Sequence, residues 1–279
     1  MTDPRPLSPV HRHNQRAWDQ MVERKQRFTR PARDADFSDP LQGLDTLGWL
    51  GGDLRGCRLL CLAAGGGKHG ALYAAAGAVV TVVDLSPAML ELDRQVAAER
   101  RLSLQTVEAS MDDLSMFAAA SFDFVIHPVS SCYLPQIEPV YREVARVTRP
   151  HGLYVSQHKQ PVSLQTSVRP SDQGYLLSEP YYREGPLPPV VGSSLREEGT
   201  LEYLHRWEEL LGLMCRAGFV IEDLAEPQHA RADAAVGSFA HRSRFVAPYV
   251  RIKARRTGRA DANATTGKLW TPTSASGGP

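Results

Sequence analysis

The sequence predicts an α/β fold built on a doubly wound, mainly parallel sheet. Three observations carry this. An apolar run, RLLCLAA (58–64), enters a glycine-rich turn, GGGKHG, and then an alanine-rich segment. A β-branched run, AVVTVVD (78–84), follows. The alternation of short apolar runs with helical segments then continues to GLYVSQHK (152–159). Runs without polar alternation suit strands buried on both faces, and strand–helix repetition is the pattern of βαβ crossovers.

Taken in order, residues 1–14 are polar and read as a disordered tail. Trp18, Met21, Val22 and Phe28 lie among charges in QRAWDQMVERKQRF (15–28), which predicts a short amphipathic helix. The first strand is 58–64, and ALYAAAG (71–77) is a helix closed by Gly77. The second strand ends at Asp84. Ser86 and Pro87 then cap and open a helix that runs to about Arg101. LSLQTVEA (102–109) and FDFVIHPV (122–129) are strands three and four, and PVYREVARVTRP (139–150) is an amphipathic helix. Strand five is 152–159, and His158 and Lys159 at its end are expected to face the cleft. Residues 160–206 are rich in Pro, Gly and Tyr and read as a cap inserted after strand five. TLEYLHRW (200–207) is read as an edge strand and EELLGLMCRAG (208–218) as a helix. FVIEDLAEP (219–227) and APYVRIKARR (247–256) complete seven strands. In the last, Val250, Ile252 and Ala254 alternate with Arg251, Lys253 and Arg255, as in a strand with one wet face. Residues 257–279 are small and polar and read as a second tail. One domain over 15–256 is expected.

Composition narrows the function classes. Lys plus Arg number 32 and Asp plus Glu 31, so no global charge draws the chain to nucleic acid or to an anionic membrane. No apolar stretch has spanning length, and the polar first residues do not resemble a secretory signal, so a cytoplasmic protein is expected. The four cysteines form no CxxC pair, and no metal site is expected.

The chemistry is carried by LLCLAAGGGKHG followed by TVVDLSP. A glycine-rich turn between strand and helix lets backbone approach a ligand closely. An acidic residue ending the next strand can accept hydrogen bonds from ribose hydroxyls. Asp84 lies 17 positions after Gly67, a length that one helix and one strand consume. Gly65, Gly67 and Gly70 also satisfy dinucleotide spacing, so this stretch alone leaves both a dinucleotide and S-adenosylmethionine open.

The downstream chain separates them. FDFVIHPVSS, then PVYREVARVTRPHGLYV, resembles the later motifs of class I S-adenosylmethionine-dependent methyltransferases, and the segments from HRWEELLGLMCRAG to APYVRIKARR resemble the end of small-molecule members. CLAAGGG, VTVVDLSP, SMDDLS and HPVSSCYLP are similar to an uncharacterised bacterial subgroup of that family. The resemblance spans about residues 15–256. Where the family usually has an acidic residue, a glycine and a second acidic residue, this chain has Cys61, Ala63 and Ser110.

The resemblance implies a Rossmann-like methyltransferase sheet in the order 3-2-1-4-5-7-6 with strand seven antiparallel. It implies S-adenosylmethionine bound by Ala64, Gly65, Gly67, Asp84, Leu85, Met89, Met111, Asp112, His127 and Val129. His127 and His158 are the candidate catalytic bases. Trp18, Tyr133, Lys159, Tyr181, Tyr182 and His205 are the candidate acceptor contacts. The activity implied is methyl transfer to O or N of a small molecule. Two alternatives remain at this point. One is a non-catalytic S-adenosylmethionine-binding regulator, suggested by the altered motif positions. The other is an RNA methyltransferase, suggested by the basic segment 242–259.

Overall fold

A computed structural model describes residues 6–258 of the protein. Seven strands form one sheet in the order β3-β2-β1-β4-β5-β7-β6. They are β1 Arg58–Leu62, β2 Val79–Asp84, β3 Leu104–Glu108, β4 Phe122–His127, β5 Thr148–Lys159, β6 Phe219–Ala225 and β7 Tyr249–Arg256. The first five are parallel, and β7 runs antiparallel to both β5 and β6. The expected strand order and direction are therefore found.

Alternation along β1 explains the two layers. Leu59 and Cys61 point to one face, Leu60 and Leu62 to the other, and all four are fully buried. On the first face they pack with Val80, Val82, Tyr73 and Leu90, beneath helices α2 (His69–Ala75) and α3 (Pro87–Arg100). On the second face they meet Val140, Tyr141 and Val144 of α4 (Glu138–Val147), with Leu210 and Met214. Each such aliphatic side chain contributes roughly 1.5–3 kcal/mol by leaving water. The order reverses between β1 and β4, which opens a crevice at the strands' carboxyl ends.

The first helix begins earlier than the sequence reading gave and ends at Glu23, short of Phe28, which lies in a separate 3-10 turn. Helix α1 spans Pro9–Glu23, so residues 9–14 belong to it and not to a tail. The signal is the one recognised at Ser86-Pro87: Ser8 accepts from the His11 N–H at 3.2 Å, and Pro9 supplies the first helical position. At the other end, the Thr257 N–H donates to the Gly218 carbonyl at 2.9 Å. The rest of the second expected tail, 259–279, lies outside the described residues.

Two further readings are corrected. Residues 200–206 form no strand. Their backbone bonds run to loops instead, as Tyr203 N–H donates to Cys132 O at 2.7 Å. The segment 208–218 is helical in two parts. Glu208–Gly212 is a π-helical turn that leads into α6 (Leu213–Arg216), and Gly218 ends it with φ +92°.

The cap is anchored by a buried ion cluster. Lys159 closes β5 and is followed by the short α5 (Pro161–Gln165). Its Nζ lies 2.6 Å from Glu197 and 3.1 Å from Glu202, and Arg196 reaches Glu202 at 3.2 Å. Arg242 on α7 (Phe239–Arg242) donates to the carbonyls of Ser163, Thr166 and Ser167 and so clamps the cap from the other side.

The β1–α2 turn is shaped by close approach. Gly67 has φ +72°, and a Cβ there would come within 2.8 Å of the Leu92 carbonyl oxygen and 2.9 Å of Val96. Its carbonyl also accepts from Ala32 N–H at 3.1 Å. Gly67 therefore fixes the loop against α3.

Two outcomes follow from this packing. Gly67→Ala is expected to cost about 1–3 kcal/mol in urea unfolding, from overpacking and a strained left-handed residue. Lys159→Met leaves the buried Glu197 without its cation and Glu202 with Arg196 alone, and is expected to cost about 3–5 kcal/mol in the same assay.

Candidate active site

A cavity of about 640 Å³ opens at the carboxyl ends of the strands, beneath α1. Its floor on one side is the β1–α2 turn and the ends of β2 and β3. Asp84 closes β2, in register beside Glu108 of β3 and one step beyond the Leu62–Val83 pair. Its Oδ2 accepts from Gly65 N–H and its Oδ1 from Ser86 N–H, both at 2.9 Å. Burial pushes this carboxyl up, while the Ser86 and Gly65 N–H groups act in the opposite sense. A Cβ on Gly65 would meet Met89 Cβ at 2.8 Å and Asp84 Oδ2 at 3.0 Å, so the bend tolerates only glycine. Gly66 donates to Asp93 Oδ2 at 2.9 Å, and burial raises that carboxyl to about 7. Ala63 is left-handed, φ +48°, where the family pattern has glycine.

Helix α1 roofs this floor. His11, Asn14, Gln15 and Trp18 all line the cavity, and their spacing puts them on one helical face. Gln15 donates to Leu85 O at 2.8 Å, and Asn14 donates to Tyr133 O at 2.9 Å. Ser86 donates to Asp19 at 2.6 Å. Trp18 meets Tyr133 edge-on, with ring centres 5.7 Å apart.

Of the residues read from the sequence, Ala64, Gly65, Asp84, Leu85, Met89, Met111, Val129, Trp18 and Tyr133 line this cavity. Gly67 does not, because it faces α3. Asp112 lies behind the wall: its Oδ2 is 3.5 Å from His11 Nε2, and its Oδ1 is buried without a partner.

The candidate bases are not in the cavity. His127 is 1% exposed, with Nδ1 2.7 Å from the Tyr154 hydroxyl and Nε2 2.7 Å from Ser130 Oγ. Burial holds it neutral, down to about 3. His158 is fully buried between Ser131 and Ser156, at 2.8 Å from each hydroxyl. Neither ring lines this cavity, and both nitrogens of each are engaged by hydroxyl groups. Strand pleat is the reason, since both side chains turn into the layer under α4.

Lys159 and His205 are buried as well, Lys159 in the ion cluster and His205 donating to Ser131 O at 3.0 Å. Tyr181 and Tyr182 meet edge-on outside the cavity, and Tyr182 is 76% exposed beneath Arg206.

None of the opposite wall's residues was among the site residues read from the sequence, although Tyr249 and Arg251 fall in the basic segment 242–259. Gln157 of β5, Tyr249 and Arg251 of β7, Phe239 of α7, His229 of the β6–α7 loop and Glu197 of the cap all line that wall. Because β7 is antiparallel, its first residues come to the carboxyl edge. The alternation at 249–256 showed a polar face, but not that this face begins inside the cleft. Arg251 donates to Gln157 at 2.8 Å and to Thr46 at 3.0 Å. Glu197 accepts from Tyr133 at 2.7 Å and pairs with Lys159.

Comparison with known proteins agrees with this architecture. Residues 60–156 match the model of a methyltransferase domain. The chain is 34% identical over 229 residues to the uncharacterized methyltransferase YbaJ of Bacillus subtilis, covering 77% of this chain and 89% of that protein. Among solved structures, an S-adenosylmethionine-dependent methyltransferase from Mesorhizobium loti superposes with a TM-score of 0.61 at 22% identity, over 77% of this chain and all (100%) of that one. Geranyl diphosphate C-methyltransferase of Streptomyces coelicolor gives 0.59 at 16% identity, over 91% and 100%. The sheet order, the crevice closed by Asp84 and these relatives together place the chain in the class I S-adenosylmethionine-dependent methyltransferase family.

Proposed function

We propose that the protein transfers a methyl group from S-adenosylmethionine to an oxygen or nitrogen of a small-molecule acceptor. The observation that carries this is the Asp84 carboxylate bent over the Gly65 N–H at the cavity floor. The residues there fit an adenosyl group. Asp84 has lone pairs left for ribose hydroxyls, and the glycines leave room where a Cβ would intrude. Leu85, Met89 and Met111 give apolar walls for a base. The unpartnered Asp112 Oδ1 lies just behind them. When bound, the group supplies an electrophilic methyl on a positively charged sulfur. The chain's own part is alignment and exclusion of water, by the α1 roof and by Trp18 against Tyr133.

The alternatives fit less well. A dinucleotide needs open glycines at 67 and 70, but Gly67 packs on Leu92 and a Cβ on Gly70 would come within 2.5 Å of Val82. The basic segment is largely engaged within the fold. Arg242 clamps the cap, Lys253 and Arg255 pair with Glu222, and Arg256 donates to Ala145 O. That speaks against RNA binding. A regulator that only binds the donor has no use for a cavity that continues to the β7 wall.

Calorimetry with S-adenosylhomocysteine tests the assignment. Binding is expected in the wild type and at least tenfold weaker in Asp84→Ala, equivalent to about 1.4 kcal/mol; absence of heat in the wild type would refute the reading. Because the Asp84 carboxyl titrates above the ordinary range and only its anion accepts two hydroxyl bonds, affinity should fall as pH drops through that raised value. The fall should begin at a higher pH than for a free aspartate.

A further inference from the structure

The charges lining the cleft are unequal in what they can still bind. Each carboxylate there is engaged. Asp36 is paired with Arg33 at 2.8 Å, Asp84 accepts two backbone N–H groups, and Glu197 holds Lys159 and Tyr133. Arg27, Arg30, Lys68 and Arg251 also line the cleft, and none of them forms a salt bridge among the described residues. Arg27 lies over the Phe28 ring at 5.3 Å, and Arg251 has only neutral partners.

His229 is close enough to Arg251 and Arg27 to feel both charges. Its ring meets Phe239 at 5.2 Å and Tyr249 at 5.5 Å, both T-shaped. Its Nε2 is buried with no hydrogen-bond partner. A ring N–H directed at an aromatic face accounts for that, since a T-shaped contact offers an N–H···π interaction. That arrangement would put the proton on Nε2 and leave the lone pair on Nδ1. Burial, then Arg251 and Arg27, depress the imidazole below its ordinary value, so it is neutral at pH 7.

We infer that the β7 wall of the cleft takes a planar organic acid bearing a hydroxyl, its anion held by Arg251 and Arg27 and its hydroxyl proton accepted by Nδ1 of His229. This rests on the methyl-transfer reading above. Flat walls of Phe239, Tyr249 and Tyr133 suit a planar ring, and arginine suits a carboxylate. In the step, the acceptor oxygen gains the methyl group and loses its proton to His229, which returns it to solvent. The donor sulfur keeps the electron pair of the broken S–C bond and becomes a neutral thioether. Nothing is oxidised or reduced.

The test uses the full chain loaded with S-adenosylhomocysteine. Three phenolic acids (4-hydroxybenzoate, 3,4-dihydroxybenzoate and 4-hydroxycinnamate) are titrated alongside the amide of each. At least one acid should bind about tenfold more tightly than its amide, and Arg251→Gln should abolish the preference. With S-adenosylmethionine, that acid should be methylated. His229→Gln should lower kcat by about 100-fold or more, with S-adenosylhomocysteine affinity retained as the sign of an intact fold. The wild-type rate should fall on the acid side as His229, facing Arg251, Tyr249 and Arg27, becomes protonated; the variant should lack that limb. Equal binding of acids and amides by protein that does bind S-adenosylhomocysteine overturns this inference alone, as does an unchanged kcat in His229→Gln. Failure to bind S-adenosylhomocysteine overturns the methyl-transfer reading beneath it.

Discussion

The bond from Gly65 N–H to Asp84 is the constraint on which the cleft depends. It ties the turn after β1 to the end of β2, and the Gly66–Asp93 bond ties the same turn to α3. Two carboxylates thus lie beneath two consecutive glycines. Each disfavours the other's ionisation, and Asp84 is among the causes that raise Asp93. The floor is therefore held by groups whose anionic form is costly until something cationic or hydrogen-bonding arrives. A positively charged sulfonium compound is such a ligand. The opposite wall carries Arg251, whose hydrogen-bond partners are neutral.

The roof is as specific as the floor. Asn14 uses both ends of its amide, donating to Tyr133 O and Leu201 O and accepting from Leu201 N–H at 2.8 Å. Gln15 and Asp19 fasten the same helix to the β2–α3 turn. Helix α1 therefore joins the donor floor to the cap through hydrogen bonds more than through apolar contact, and only Asn14 and Met21 of its residues are buried.

Much of the fold was legible because it is written in local chemistry. The strands β1 and β2 are mostly apolar runs, β4 holds Phe124, Val125 and Ile126 in succession, and Ser86-Pro87 marks a helix start. The same mark at Ser8-Pro9 was hidden by the polar residues around it, since α1 is amphipathic with few buried positions. The donor floor was legible because its parts are close in sequence. The buried histidines misled for a definable reason. His127 and His158 end strands at the right edge, but pleat alternation turns them inward, and no spacing reveals which face an end residue takes. His229, Arg251 and Tyr249 reach the cleft only through an antiparallel strand and a long loop. Their convergence is a property of topology and not of any local motif.

The placement of β7 has a consequence for how the cleft can vary. The matched methyltransferase region ends at residue 156, within β5, whereas Gln157, His229, Phe239, Tyr249 and Arg251 all come after it. The two sides of the cavity are thus drawn from separate stretches of chain, so substitutions after residue 156 can reshape one wall while the residues of the β1–α2 turn and Asp84 stay as they are.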